Sequence, residues 1–226
     1  DSSHDSYYGV NFDPSAYGVT ENPFSTFAAT MHHSLRSHSL LAGVQVDREH
    51  LSDSRPGYGR EIEEDYSNLG FFLQDEWTLF SELTLLAGLR FDKHSAVDRA
   101  ILSPRFSLFL SPSDTIQVRV TAARGFRPPK VYDTDLHAEV AGGQPGFVIN
   151  DSDLTEEQAA TFSLSGNYIV SQGEWGGFRL EGNLFMNRLE NTFLLSEASE
   201  TVSEGDGLVF LRTNGSGSKV YGAEVN

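Results

Sequence analysis

Gln158–Val170 reads QAATFSLSGNYIV. In an extended strand, successive side chains face opposite sides of the sheet. Gln158, Ala160, Phe162, Leu164, Gly166, Tyr168 and Val170 then share one face. Ala159, Thr161, Ser163, Ser165, Asn167 and Ile169 share the other. The first face is almost wholly apolar and the second mostly small and polar. A soluble sheet would press the apolar face into a core. A membrane barrel would turn it to lipid and keep the polar face inside.

The pattern recurs along the chain. Leu83, Leu85, Ala87, Leu89 and Phe91 oppose a face with Arg90 and Asp92. Leu102, Pro104, Phe106, Leu108 and Leu110 oppose one with Arg105 and Ser107. Ile116, Val118, Val120 and Ala122 oppose Gln117, Arg119 and Thr121, and Phe178, Leu180, Leu184 and Met186 oppose Arg179, Glu181 and Asn183. Leu40, Ala42, Val44 and Val46 form another such face, as do Leu69, Phe71, Leu73 and Trp77, whereas Phe24–His33 is mixed on both. Arginine opposite a run of Leu and Val requires that side to be wet. Alternation alone leaves open both a soluble β-sandwich and a membrane barrel.

The connections discriminate. Strands are expected at 24–34, 38–49, 65–79, 83–93, 100–110, 115–125, 155–171, 176–196 and 208–226. The links Ser34–Ser37, Phe80–Glu82, Ser111–Asp114 and Ser171–Trp175 are short, and those at His50–Glu64, His94–Arg99, Phe126–Leu154 and Glu197–Gly207 are longer and polar. Short and long alternate, as in an outer-membrane barrel with tight periplasmic turns and long outer loops. Trp77, Phe80 and Trp175 then fall at the short-turn rim, where an aromatic girdle belongs. Asp75 falls on the apolar face near that rim, a position tolerable only at the interface. Residues 1–23 are expected to form an extracellular loop, and 24–226 the strands and loops of a partial barrel.

Composition narrows the function. With 226 residues and 38% hydrophobic content, a large dry core is hard to fill. A net charge of −16 argues against nucleic acid as a partner. The chain lacks cysteine, so disulfides and thiolate metal sites are excluded. No run approaches the roughly 18 apolar residues of a membrane helix. The chain opens at Asp1 in a polar segment, so it is expected to be a processed protein or an internal piece of a longer one. Neither a nucleophile elbow nor a phosphate-binding glycine loop before a helix appears, and neither an enzyme nor a bound cofactor is expected. Acid is concentrated in the long links, where solvated loop charge is the plain reading and a cation site the sharper one. His32 and His33 are neighbours on a strand and point to opposite faces, whereas His94 and His137 lie on separate loops that could meet.

Several segments carry a family likeness: LGFFLQDEW at Leu69–Trp77, GLRFD at Gly88–Asp92, SPRF at Ser103–Phe106, GFRPPKVY at Gly125–Tyr132, and NGSGSKVYGAE at Asn214–Glu224. In order and spacing they resemble the barrel domain of TonB-dependent outer-membrane receptors. The resemblance implies an antiparallel up-and-down transmembrane β-barrel in the bacterial outer membrane, of which nine strands are a part, since the family's barrels have about 22. It implies energy-coupled uptake of a large scarce nutrient, such as a ferric siderophore, cobalamin or another metal chelate. The implied partners are outer-membrane lipid, the chelate, and the TonB complex acting through a plug. The plug and a C-terminal strand with a terminal aromatic residue are not seen, so an internal fragment is expected. Asn150–Glu157 (NDSDLTEE) stands where the family has a Leu-x-Pro-Glu-like segment, with Thr155 in place of proline. Pro128 and Pro129 must end ladder pairing; the plain reading of the segment is strand termination and loop anchoring, and the sharper one, under the receptor resemblance, is that Arg127, Lys130, Tyr132 and His137 contact the ligand. The alternatives are a passive pore or adhesin barrel and a soluble β-sandwich binding domain.

Overall fold

A computed structural model describes residues 3–7, 17–56, 60–131, 140–141, 144–171, 176–197 and 208–226. The strands are β1 (Ser3–Tyr7), β2 (Tyr17–Glu21), β3 (Phe24–Leu35), β4 (His38–Arg55), β5 (Arg60–Phe80), β6 (Leu83–His94), β7 (Ile101–Ser113) and β8 (Ile116–Arg127). There follow β9 (Val140–Ala141), β10 (Gln144–Asn150), β11 (Glu157–Ser171), β12 (Gly177–Glu190), β13 (Phe193–Glu197), β14 (Leu208–Asn214) and β15 (Ser218–Val225). The main sheet runs β1-β2-β4-β5-β6-β7-β8-β11-β12-β15, with β3 also on β4. Every pairing in it is antiparallel, and its two ends are not joined among the described residues. It is an up-and-down wall, open at both edges, and a part of a larger barrel.

The register joins the apolar faces of separate strands into one surface. A single cross-strand row reads Trp77, Leu85, Leu108, Val120, Leu164, Leu184, Ala223. On the other face a row reads Arg119, Ser165, Asn183, Glu224. A slip of one residue in any pairing would put arginines among leucines, so the two-sided pattern excludes odd slips of register. It also settles the mixed strand: Phe27, Ala29 and Met31 of β3 lie opposite Val46, Val44 and Ala42 and so belong to the apolar side.

Burial is inverted relative to a soluble domain. Phe71, Leu73, Phe91, Leu180 and Leu184 are each at least half exposed, while Asp53, Asp92, Ser107, Glu156 and Arg212 are buried. A sandwich would seal Leu85, Val118 and Leu180 between sheets. Here Leu180 is exposed and the other two are only partly covered. The greasy surface therefore meets lipid, and the polar face lines the lumen.

Four features depart from the strands read in the sequence. The link His50–Glu64 is largely ladder: β4 and β5 stay paired out to Arg55 opposite Arg60. Beyond the lipid both faces are wet, so apolar alternation stops while backbone pairing continues. The segment 176–196 divides into β12 and β13 at Asn191, whose φ is 54°, and 208–226 divides at Gly217, with φ 111°. Between Phe126 and Leu154 lie β9 and β10. The last of these pairs in parallel with β14, giving a small second sheet of order β13-β14-β10-β9. Within 1–23, β1 and β2 form a hairpin, and β2 pairs with β4 above β3. Pro23 separates β2 from β3 on that edge, where its missing N–H costs no ladder bond.

At the short-turn rim, His38 Nδ1 lies 2.8 Å from Asp75 Oδ2, and the His38 ring stacks on Trp77 at 5.1 Å. The outward carboxylate thus has a partner inside the aromatic girdle. Phe80 is 67% exposed on the same rim. Trp175 lies outside the described residues.

Candidate functional site at the lumen mouth

The family-like motifs interlock on the lumen wall. In GLRFD, Arg90 and Asp92 are two apart on one strand and so share a face. Arg90 Nη2 meets Asp92 Oδ1 at 2.7 Å, and Arg90 Nε donates to both Asp92 oxygens at 2.8 and 3.0 Å. Arg90 also donates to Gln45 Oε1 at 3.1 Å, and Asn68 donates to Asp92 Oδ1 at 2.9 Å. Gly70 of LGFFLQDEW lies opposite Asp92, and a Cβ there would run into the Arg90 guanidinium. The glycine is the clearance that lets the arginine lie flat against the wall. Asp47 accepts from Thr26 at 2.6 Å and from Gln45 at 2.9 Å, extending the network to the edge strand.

GFRPPKVY leaves the wall where its prolines dictate. The ladder of β8 with β11 runs to Arg127 opposite Glu157. Pro128 and Pro129 cannot donate to a ladder, and the chain turns across the lumen toward β4 and β5. Lys130 Nζ forms an ion pair with Glu49 Oε2 and lies 5.6 Å over the Tyr66 ring. The backbone N–H of Val131 donates to the Tyr66 hydroxyl at 3.0 Å. The Tyr66 ring is 6.1 Å from that of His94. A cavity of about 270 Å³ opens here, lined by Asp47, Glu49, Tyr66, Asn68, His94 and Lys130 among others.

The small sheet furnishes the opposite side. Arg127 stands 5.4 Å over the Phe193 ring, and Arg212 stands 5.8 Å from the same ring. Arg212 Nη1 donates to the Lys130 carbonyl and to Asn150 Oδ1, each at 3.3 Å. Asn214 ties this sheet to the wall, accepting from the Thr155 N–H at 2.7 Å and donating to the Asn191 carbonyl at 2.8 Å. Thr155, which stands where the family pattern has proline, uses the N–H that proline would lack.

Beside it, Glu156 is buried and receives Arg99, which donates through Nε at 3.1 Å and through Nη2. Burial pushes the Glu156 carboxyl up. Hydrogen bonds from Arg99 and Gln158 outweigh it and hold the group below its ordinary range.

Of the four sequence-derived candidates, Arg127 and Lys130 both stand at the mouth, on opposite sides of the prolines. Tyr132 and His137 lie outside the described residues, so a meeting of His94 with His137 does too. Glu49, Tyr66, Phe193 and Arg212 join the site from distant segments that no local motif marks, and His94, which the sequence offered only beside His137, joins them. His32 donates to or accepts from Ser39 at 2.8 Å on the lumen side, and His33 lies opposite Leu40 on the apolar side. Among the described residues, no group of three or more His, Asp or Glu side chains is placed to hold a metal ion.

An apolar exterior, a polar lumen, and a mouth filled by inward-turned loop and sheet define a partial transmembrane β-barrel. The chain belongs to the TonB-dependent receptor-like β-barrel family, whose model matches residues 1–226. Among solved structures it is similar to the siderophore receptor PirA from Pseudomonas aeruginosa, with 17% identity and a TM-score of 0.75 over 92% of this chain and 39% of that one. A ferric enterobactin receptor mutant (PfeA) from Pseudomonas aeruginosa, in complex with enterobactin, gives 15% identity and a TM-score of 0.69, covering 99% of this chain and 37% of that one. The hemophore receptor HasR of Serratia marcescens, in complex with its hemophore HasA and heme, gives 15% and 0.69, covering 92% and 39%. The chain thus spans well under half the length of these structures. Comparison with curated proteins gives no match.

Proposed function

We propose that this chain supplies the wall and part of the ligand-facing mouth of a receptor in the bacterial outer membrane. Its cargo would be a metal chelate of the siderophore kind, moved inward with energy delivered through a plug by the TonB complex. The observation that carries the reading is the inward turn at Pro128–Pro129. It places Arg127 and Lys130 at the mouth beside the rings of Phe193 and Tyr66. Cations held over aromatic faces suit a flat, anionic chelator, which can take a charge-assisted hydrogen bond and a stacking contact together. Similar structures are named as receptors for a siderophore, ferric enterobactin and a heme-carrying hemophore, and others as iron and copper transporters, which favours a metal-bearing cargo.

The test is uptake of a labelled ferric chelate by cells making the full-length receptor, with Arg127, Lys130, Tyr132 and His137 changed singly to alanine. Loss of one charge-assisted contact, worth about 1.5 kcal/mol, should weaken apparent affinity roughly tenfold. Lys130→Arg, which keeps the charge, should retain most of it. Unchanged uptake in all four alanine variants would remove these residues from the ligand site.

A further inference from the structure

We propose that the outer wall carries a binding site for a phosphate-bearing lipid, formed by Arg124, Arg188 and Lys219. The register shows the site. Lys219 lies opposite Arg188, Arg188 opposite Ala160, and Ala160 opposite Arg124. All four lie in one row across β15, β12, β11 and β8. The row directly beneath reads Tyr221, Met186, Phe162, Ala122, and on β15, β12 and β11 it is the last apolar row of the lipid-facing surface. The cations therefore sit one step above the edge of the hydrocarbon band, where headgroups lie.

The row is built to gather charge. Ala160 leaves a gap between the two arginines, which are two strand spacings apart, about 10 Å. Arginine side chains reach across such a gap to one anion, and their planar forks match phosphate oxygens. A small recess occupies this position, lined by Leu102, Arg124, Gln158, Ala160, Arg188 and Glu190 among others. Among the described residues, neither Arg124 nor Lys219 is in an ion pair. Arg188 holds Glu190 at 2.9 Å, with both side chains more than half exposed, and exposed pairs of this kind are weak enough for an anion to displace.

What lies beneath the recess selects a lipid. Arg124 and Ala160 also line a second, larger groove of about 630 Å³ on the same face. Its walls include Leu89, Phe106, Ala122, Leu73 and Leu40, and it exists because Ala87, Ala122 and Ala160 are small where their neighbours are large. A cationic notch opening onto an apolar trough fits a phosphate head with its acyl chain lying below. The inference rests on the lipid-facing placement of the apolar surface and is independent of the uptake cargo.

Native mass spectrometry of the full-length receptor tests it, using mixed micelles of phosphatidic acid and phosphatidylcholine. Wild-type protein should retain phosphatidic acid preferentially. Replacing Arg124, Arg188 and Lys219 together with glutamine should cut that preference by roughly tenfold or more. Glu190→Gln removes the competitor of Arg188 and should raise retention, a gain that misfolding cannot imitate. Soluble glycerol phosphate should compete poorly, because it leaves the groove empty. No preference in the wild type, an unaltered preference in both variants, or equal competition by glycerol phosphate would overturn the proposal.

Discussion

The pair Arg99–Glu156 shows how one buried carboxylate anchors a loop end. Glu156 titrates below its ordinary value of 4.5 in the folded state. Its contribution is therefore complete above that value and is lost as pH falls through the lower, folded one. Arg99 is 64% exposed, so solvent screening limits the contribution to about 1 kcal/mol. Denaturant unfolding of detergent-solubilised protein should show the wild type losing that increment as pH falls through 4.5 and below. Glu156→Gln should start lower and stay flat across the same interval. Equal pH slopes in the two proteins would show that the pair contributes nothing measurable. The sequence did not disclose this contact: Arg99 and Glu156 are 57 positions apart, and each reads locally as loop charge.

At the scale of elements, the ladder strands were legible and their ends were not. Each lipid-facing stretch advertises itself by period-two apolar residues, because lipid on one side and water on the other demand it. The signal fades where a strand leaves the bilayer, and so β4 and β5 outrun their apolar pattern. The breaks at Asn191 and Gly217 depend on backbone angles that the side-chain pattern does not reveal. Gly217, at φ 111°, also has the Leu189 carbonyl where a Cβ would go. Gly217→Ala should cost about 1–3 kcal/mol and loosen the turn from β14 into β15. Hydrogen exchange would register this as lost protection at Val220 and Gly222, whose N–H groups face β12, with β6 and β7 unaffected; unchanged exchange there would contradict the strain.

For the whole molecule, the inverted burial predicts an asymmetric response to charge. Leu184 and Asn183 are chain neighbours on opposite faces, opposite Ala223 and Glu224 of β15. Leu184→Arg puts a guanidinium into hydrocarbon and should cost about 2–4 kcal/mol. Asn183→Arg points into the lumen beside Glu224 and should be nearly neutral. Unfolding from lipid vesicles in urea measures both, and equal costs would mean that the two faces share one medium.

The sequence by itself determined the fold class, nine of the eleven strands of the main sheet, the two faces and the family. Those follow from a local rule, since each residue's neighbours two positions away reveal which medium it meets. It also flagged Arg127 and Lys130, because two adjacent prolines can only end a ladder. Only the tertiary structure decided what those residues meet: Glu49, Tyr66, Phe193 and Arg212 come from strands far along the chain. It likewise aligned three separate cations into one row on the outer wall. Register and loop crossing are properties of paired segments, and a pattern read along one strand holds no information about the strand beside it.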